Sequence, residues 1–264
     1  MSQIVTDQSL LDQFTKKAME EPEVVIKTRA PSEPEVVLPG GFINKDGALV
    51  TTAEVRELTG FDEEAVAKAS STGKALAALV QRGLVKLGNS DVTKDDLSTL
   101  LSGDRDMILL GIRKLTFGNT LPLIARCLSC NTEQSVEIDL TADVPVQTLD
   151  DPIADRRWDI ETSQGVVSVA LPNGIVQQKL LDEIDKTGAE VNTILLTGCI
   201  TAVDGSPTFG TGPALSLSMG NRAKIIEQIV ERNPGPRLGE VKKVCKVCES
   251  DMNLPLSLAD LFPL

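Results

Sequence analysis

The sequence predicts an α+β protein of two duplicated halves, each a strand, several helices and a knuckle-like β-hairpin, with the two hairpins meeting at one four-cysteine site. Three observations point there. Four of the five cysteines fall in two CxxC pairs, Cys127-Leu128-Ser129-Cys130 and Cys245-Lys246-Val247-Cys248. Stretches of helical period precede each pair, and stretches that alternate apolar and polar residues flank each pair. The same order of motifs also occurs twice along the chain.

The elements can be justified in chain order. Asp7 to Met19 places Leu10, Leu11, Phe14 and Ala18 at helical spacing, which predicts a short amphipathic helix. Prolines from Pro22 to Pro34 predict an extended arm, and Glu35 to Leu38 a strand closed by the Leu38-Pro39-Gly40-Gly41 turn. Thr51 or Thr52, with Glu54 placed for a capping box, predicts a helix to Leu58. Phe61 opens a longer helix to about Gly83, Thr93 to Leu101 forms another, and Gly103 starts an apolar helix that Gly118 ends. Leu121 to Arg126 and Val136 to Leu140 read as strands on either side of the first CxxC.

Asp143 to Asp159, rich in Pro and Asp, reads as a linker pinned by Trp158. Gly165 to Leu171 is then a strand, Asn173-Gly174 a turn, and Ile175 to Lys186 and Val191 to Ile200 are helices. Thr201 to Thr211 reads as a loop, and Asn221 to Arg232 as a helix that Asn233-Pro234-Gly235-Pro236 stops. Leu238 to Val244 and Leu254 to Leu258 flank the second CxxC. The organisation expected is a helix and arm over 1–34, a first half over 35–144, a linker over 145–164 and a second half over 165–264.

The duplication rests on Leu38-Pro39-Gly40-Gly41 recurring as Leu171-Pro172-Asn173-Gly174, and on Leu101-Ser102-Gly103-Asp104-Arg105 echoed by Met219-Gly220-Asn221-Arg222. Cys127 and Cys130 fall 118 residues before Cys245 and Cys248, and at that offset Val136, Ile138 and Leu140 meet Leu254, Leu256 and Leu258. Each half then supplies half of one site, giving a pseudo-twofold unit.

A two-residue spacer lets both thiolates of a pair turn to one point, and two such pairs complete a tetrahedron. Cys127, Cys130, Cys245 and Cys248 are therefore the expected ligands of one structural Zn2+. A closed four-thiolate set leaves no open position for catalysis. A redox CxxC normally sits at a helix N-terminus, whereas these pairs lie between strands. Arg126, Lys243 and Lys246 are placed to offset a dianionic centre. Iron remains the alternative metal.

Composition narrows the function further. The 264 residues carry a net charge of −12, which disfavours phosphate backbones and anionic lipid. There is no His, so the usual general base and the commonest catalytic metal ligand are missing. Aromatic residues make up only 3%, with no Tyr, so the core must be aliphatic. No basic leader and no long apolar run is visible, which predicts a reducing compartment where CxxC pairs hold metal. Cys199, in Asn192-Thr193-Ile194-Leu195-Leu196-Thr197-Gly198-Cys199, reads as a core thiol. Asp104-Arg105-Asp106 reads as helix-start chemistry with a local ion pair, and Gly205 to Gly220 as a loop suited to contact. No catalytic residue is expected.

Taken in order, the LPxG phrase, Arg56-Glu57-Leu58-Thr59-Gly60-Phe61-Asp62-Glu63-Glu64, Gly103-Asp104-Arg105-Asp106 with its apolar helix and Thr116-Phe117-Gly118, and the two distant CxxC pairs resemble the baseplate hub assembly chaperone family of T-even-type contractile phages, over residues 35 to 264. Related proteins occur in contractile injection systems. The resemblance implies a non-enzymatic component of a contractile tail baseplate, in hub or wedge. It would be assembled in the host cytoplasm and located in the virion, docked on other baseplate proteins in several copies, with neither nucleic acid nor membrane as partner. Two alternatives stay open: a transient assembly chaperone absent from the mature particle, and a zinc-ribbon nucleic-acid binder. The knuckles depart from the usual CPxCG form in lacking its Pro and Gly.

Overall fold

The computed structural model describes residues 34–183 and 186–262. The helix and arm expected before residue 34 lie outside the described residues. The remainder is mixed α+β, with two four-stranded antiparallel sheets, helices packed on each, and smaller two-stranded pieces.

The first sheet joins β1 (Glu35–Ile43), β2 (Leu49–Val55), β3 (Leu84–Leu87) and β4 (Ser90–Asp91) in that order. Between β2 and β3 lie α1 (Gly60–Ala67) and α2 (Thr72–Gly83), and after β4 come α3 (Lys94–Thr99) and α4 (Ser102–Phe117). A hairpin of β5 (Thr120–Arg126) and β6 (Glu133–Asp139) follows. After the short β7 (Val146–Gln147), the second sheet joins β8 (Arg157–Thr162), β9 (Gly165–Ala170), β10 (Ile200–Val203) and β11 (Ser206–Pro207). Its helices are α5 (Gly174–Asp182), α6 (Gly188–Cys199), α7 (Gly212–Ser216) and α8 (Met219–Arg232). β12 (Gly235–Pro236) pairs with β7, and a last hairpin joins β13 (Lys242–Val244) to β14 (Asp251–Asn253).

Several expectations are corrected. Thr51 to Leu58 is not a helix; Leu49–Val55 is an inner strand paired to β1 on one side and β3 on the other. Glu54, read as a capping-box residue, instead meets Lys86 of the neighbouring strand at 3.1 Å. The capping box belongs to Thr59 and Asp62, one helix later. The long helix to Gly83 is broken after Ala67, where Ser71 accepts from the Lys74 amide and starts α2 afresh. Leu38-Pro39-Gly40-Gly41 is no closing turn: it lies inside β1, where the register slips between Val37 and Phe42 and Gly41 adopts φ +68. Leu171-Pro172-Asn173-Gly174 follows β9 instead, and Asn173 caps α5 through the Ile175 and Val176 amides. The two LPxG phrases therefore occupy different places, and their match is coincidental.

The stretch read as a linker carries β7 and enters β8, and the loop read after Ile200 contains β10 and β11. The strand expected from Leu254 to Leu258 is the shorter Asp251–Asn253. Trp158, on β8, does pin its strand: its indole N–H donates to Gln228 Oε1 of α8 at 3.1 Å, and Arg232 covers the ring.

The order of elements itself recurs. Strand, strand, helix, helix, strand, strand, helix, helix and hairpin occur from β1 to β6 and again from β8 to β14. The inner pairings also agree. Ala53, Glu54 and Val55 oppose Leu87, Lys86 and Leu84; Val167, Ser168 and Val169 oppose Val203, Ala202 and Ile200. Each ladder skips one residue at the same place, Val85 in one and Thr201 in the other. Among the described residues there are two cores. One gathers β1 to β3, α2, α4, both hairpins and Leu261 and Phe262; the other gathers β8 to β10 with α5, α6 and α8.

Arg105 and Asp106 join these bodies rather than pairing locally, and Asp104 ties α4 to β1 within the first. Asp104 is fully buried and accepts from the Gly40 amide at 2.8 Å, Arg105 Nη1 donates to Gly174 O at 2.8 Å, and Asp106 accepts from Gln177 Nε2. Burial pushes both carboxyls up, to about 7 each. Cys199 is buried in the second core, and burial pushes its thiol up to about 12.

Asp62 is the most heavily bonded carboxylate of the first half. It accepts from both terminal nitrogens of Arg56, from Arg82, and from the Thr59 amide and hydroxyl. The Arg56 guanidinium holds its carboxyl well below the usual range. Because the folded value is depressed, this stabilisation is present above the unfolded carboxylate value, about 4, and fades as pH falls below it. Asp62→Asn should cost about 1–3 kcal/mol at neutral pH and correspondingly less near pH 3, measured by urea unfolding at both pH values.

Candidate metal centre

Each knuckle is built by its own backbone. The Asn131 amide donates to Cys127 O at 2.9 Å and the Cys127 amide to Thr132 O at 3.0 Å. The Glu249 amide donates to Cys245 O at 3.0 Å and the Cys245 amide to Ser250 O at 2.9 Å. The residue after each second cysteine is left-handed, Asn131 with φ 58 and Glu249 with φ 59. This is where the usual form carries glycine. The turn therefore forms without glycine, at a conformational cost that Asn bears more easily than Glu.

The two knuckles face each other. Cys127 Sγ lies 3.6 Å from Cys248 Sγ, Cys130 Sγ lies 3.7 Å from Cys245 Sγ, and all four sulfurs lie within 4.8 Å of one another. A tetrahedral ion with sulfur at about 2.3 Å separates its ligands by about 3.8 Å. The spacing is far too long for disulfides, about 2 Å, and the four cysteines are free. The donor set can hold a soft or borderline metal, and all four residues expected at this site are in it.

Amide donors aim at the sulfurs. The Cys248 amide, then that of Val247, then the Gln134 carboxamide draw the Cys245 thiol down to about 6. Thr132, through hydroxyl and amide, lowers Cys130. The cations expected to balance the centre are engaged elsewhere: Arg126 with Glu133 at 3.5 Å, Lys243 with Asp143, and Lys246 Nζ with Ser135 O at 3.2 Å.

Sequence reading missed Gln134. From β6 of the first hairpin its Nε2 reaches Cys245 Sγ at 3.1 Å, and its Oε1 accepts from the Lys246 amide at 3.1 Å. It thus straps the second knuckle to the first. Its place four residues after Cys130 carries no motif, so only the facing of the hairpins reveals it.

Among the described residues no helix is long and apolar enough to cross a membrane. The family model described as T4 bacteriophage base plate protein matches residues 44–209, which include the first knuckle. No curated protein and no solved structure matches the chain.

Glu249→Gly should raise stability by roughly 0.5–1 kcal/mol, since relief of the left-handed side chain exceeds glycine's added chain entropy. Asn131→Gly should gain less. Denaturant midpoints of the metal-loaded proteins measure both.

Proposed function

The chain belongs to the T4 bacteriophage base plate protein family, and from that premise we propose that it is a non-enzymatic structural component of a contractile tail baseplate, in hub or wedge. The family match is the observation that carries this reading. The role is to be held by neighbouring tail proteins in the virion, in several copies, with the chain assembled in the host cytoplasm. The structure would act by docking, and its stiffness would come from one Zn2+ bound by Cys127, Cys130, Cys245 and Cys248. Zinc fits an all-cysteine set of tetrahedral size, and when bound it would cross-link the hairpins without redox chemistry. The net charge of −12 speaks against a nucleic-acid role.

The recurrent element order, the shared strand pairing and the matching left-handed knuckle residues further support a reading of the two halves as copies of one unit.

Mass spectrometry of purified particles tests the role. The chain should be present in mature virions; presence in assembly intermediates alone would instead identify a transient chaperone. A gel shift at low salt should show no retained nucleic acid, and firm salt-sensitive retention would favour the nucleic-acid reading.

Zinc binding contributes on the order of 10 kcal/mol to folding in small zinc modules. Elemental analysis should find one zinc per chain in a colourless protein. Cys127→Ser and Cys248→Ser should each lose the metal and lower the melting temperature. Unchanged melting with full zinc in either variant would overturn the site.

A further inference from the structure

The two halves do not pack on each other reciprocally. α5 lies on the face presented by α2, α3 and α4. Glycine is required there by close approach. A Cβ on Gly174 would lie 2.4 Å from Leu97 O and one on Gly73 2.6 Å from Leu181 Cβ; beside this seat, one on Gly103 would lie 1.5 Å from Pro234 O, in the segment that follows α8. Backbone bonds complete the contact, Gly174 N to Leu100 O and Ser102 N to Pro172 O, each 2.9 Å.

The helix caps align the counterparts in the other half. Thr59 and Asn173 cap α1 and α5, so Gly60, Glu63 and Ala67 stand where Gly174, Gln177 and Leu181 do. Ser71 and Thr187 cap α2 and α6, so Ala189 stands for Gly73. Leu101 and Ser218 cap α4 and α8, so Gly220, Arg222 and Ala223 stand for Gly103, Arg105 and Asp106. Gly60, Glu63 and Ala67 are exposed, and so are Ala189, Gly220 and Ala223. A Cβ on Gly60 or Gly220 would meet nothing within 4 Å. Two positions thus carry glycine where the single chain has ample room for a side chain.

We propose that α1 of one copy docks on the α6–α7–α8 face of a second copy, head to tail, repeating the seat that α5 takes on α2, α3 and α4 within the chain. The proposal rests on reading the halves as copies of one unit. The open faces complement each other. Within the chain Gln177 meets Asp106; in the new contact Glu63 meets Ala223 with Arg222 beside it, so no two carboxylates oppose. Leu181 against Gly73 becomes Ala67 against Ala189, a smaller residue against a larger one.

The uncharged rim fits the same occupant. Residues 205–221 carry no charged side chain in a chain that is 24% charged, and Phe209 and Met219 are 89% and 88% exposed. A net charge of −12 otherwise opposes self-association. Ser102 Oγ lies 3.2 Å from Asn233 Oδ1 within the chain, and counting from the α4 and α8 caps their counterparts are Met219 and Thr116. Thr116 lines an apolar cleft of about 560 Å³ with Gly60, Glu63, Ala67 and Phe117. Met219 of one copy is therefore placed to enter the cleft of the next. Such a contact is heterologous, so it builds a ring or a filament rather than a closed pair.

Sedimentation velocity of the full chain over a concentration series tests this with Gly60→Leu and Ala189→Arg, both at exposed positions where the fold should keep its melting temperature. Wild type should self-associate reversibly, and each variant at least about tenfold more weakly. Mixed together, each variant still offers one intact face, so the pair should form a 1:1 dimer and grow no further. Wild type that stays monomeric would overturn the docking while leaving the baseplate reading to its own test in particles. Association unmoved by both substitutions would overturn the assigned faces, and so would either variant dimerising with itself as wild type does.

Discussion

Four sulfurs within 4.8 Å of one another are the constraint on which the rest of the molecule depends. Two-stranded hairpins are marginal alone in water, and the second hairpin has only three residues in each strand. Facing the pairs brings Cys127, Cys245, Met252, Leu254 and Leu256 into the first core together with Leu261 and Phe262. The last segment of the second half is thereby folded back onto the first half. The donor set is one that a cation could hold: bare thiolates at this distance repel, whereas a bound dication would make the same geometry favourable. Gln134 and the knuckle amides do the remaining local work, donating to sulfur where the neighbouring lysines and arginine do not.

Beyond that point of near symmetry the two halves behave differently. The hairpins meet in crossed pairs, Cys127 with Cys248 and Cys130 with Cys245, as a local twofold requires. The helices do not follow it. α5 is seated on the first half, with Gly174 and Gln177 buried, while Gly60 and Glu63 at the corresponding places of α1 face solvent. The sulfur pairing is thus near-symmetric, whereas the burial of α1 and α5 is not. The seat is filled within the chain on one side, and the corresponding face on the other side is exposed.

Much of the helical content was legible because its signals are local. Thr93 starts α3, Gly118 ends α4, and Asn233 and Pro234 end α8, as caps and breakers predict. The strands between helices were not legible. β2 read as a helix because Thr51, Thr52 and Glu54 imitate a cap, and only burial between β1 and β3 reveals the strand period. β3, β4, β10 and β11 are short, from two to four residues, too few for periodicity to register. The family resemblance agreed with the family match at the level of a baseplate protein.

The sequence by itself determined the donor set. Two CxxC spacings, no His and an acidic composition suffice to name Cys127, Cys130, Cys245 and Cys248 as one group, because thiolate geometry over two spacer residues is a local property. Tertiary structure alone decided what surrounds that group and what it joins. Gln134 reaches Cys245 only when the hairpins face each other, and Arg105 and Asp106 change from a helix start into a seam between bodies only when Gly174 and Gln177 arrive from elsewhere, while Asp104 takes Gly40 of β1. Contacts between residues far apart in the chain depend on burial and close approach, and no spacing along a single strand of sequence encodes those distances.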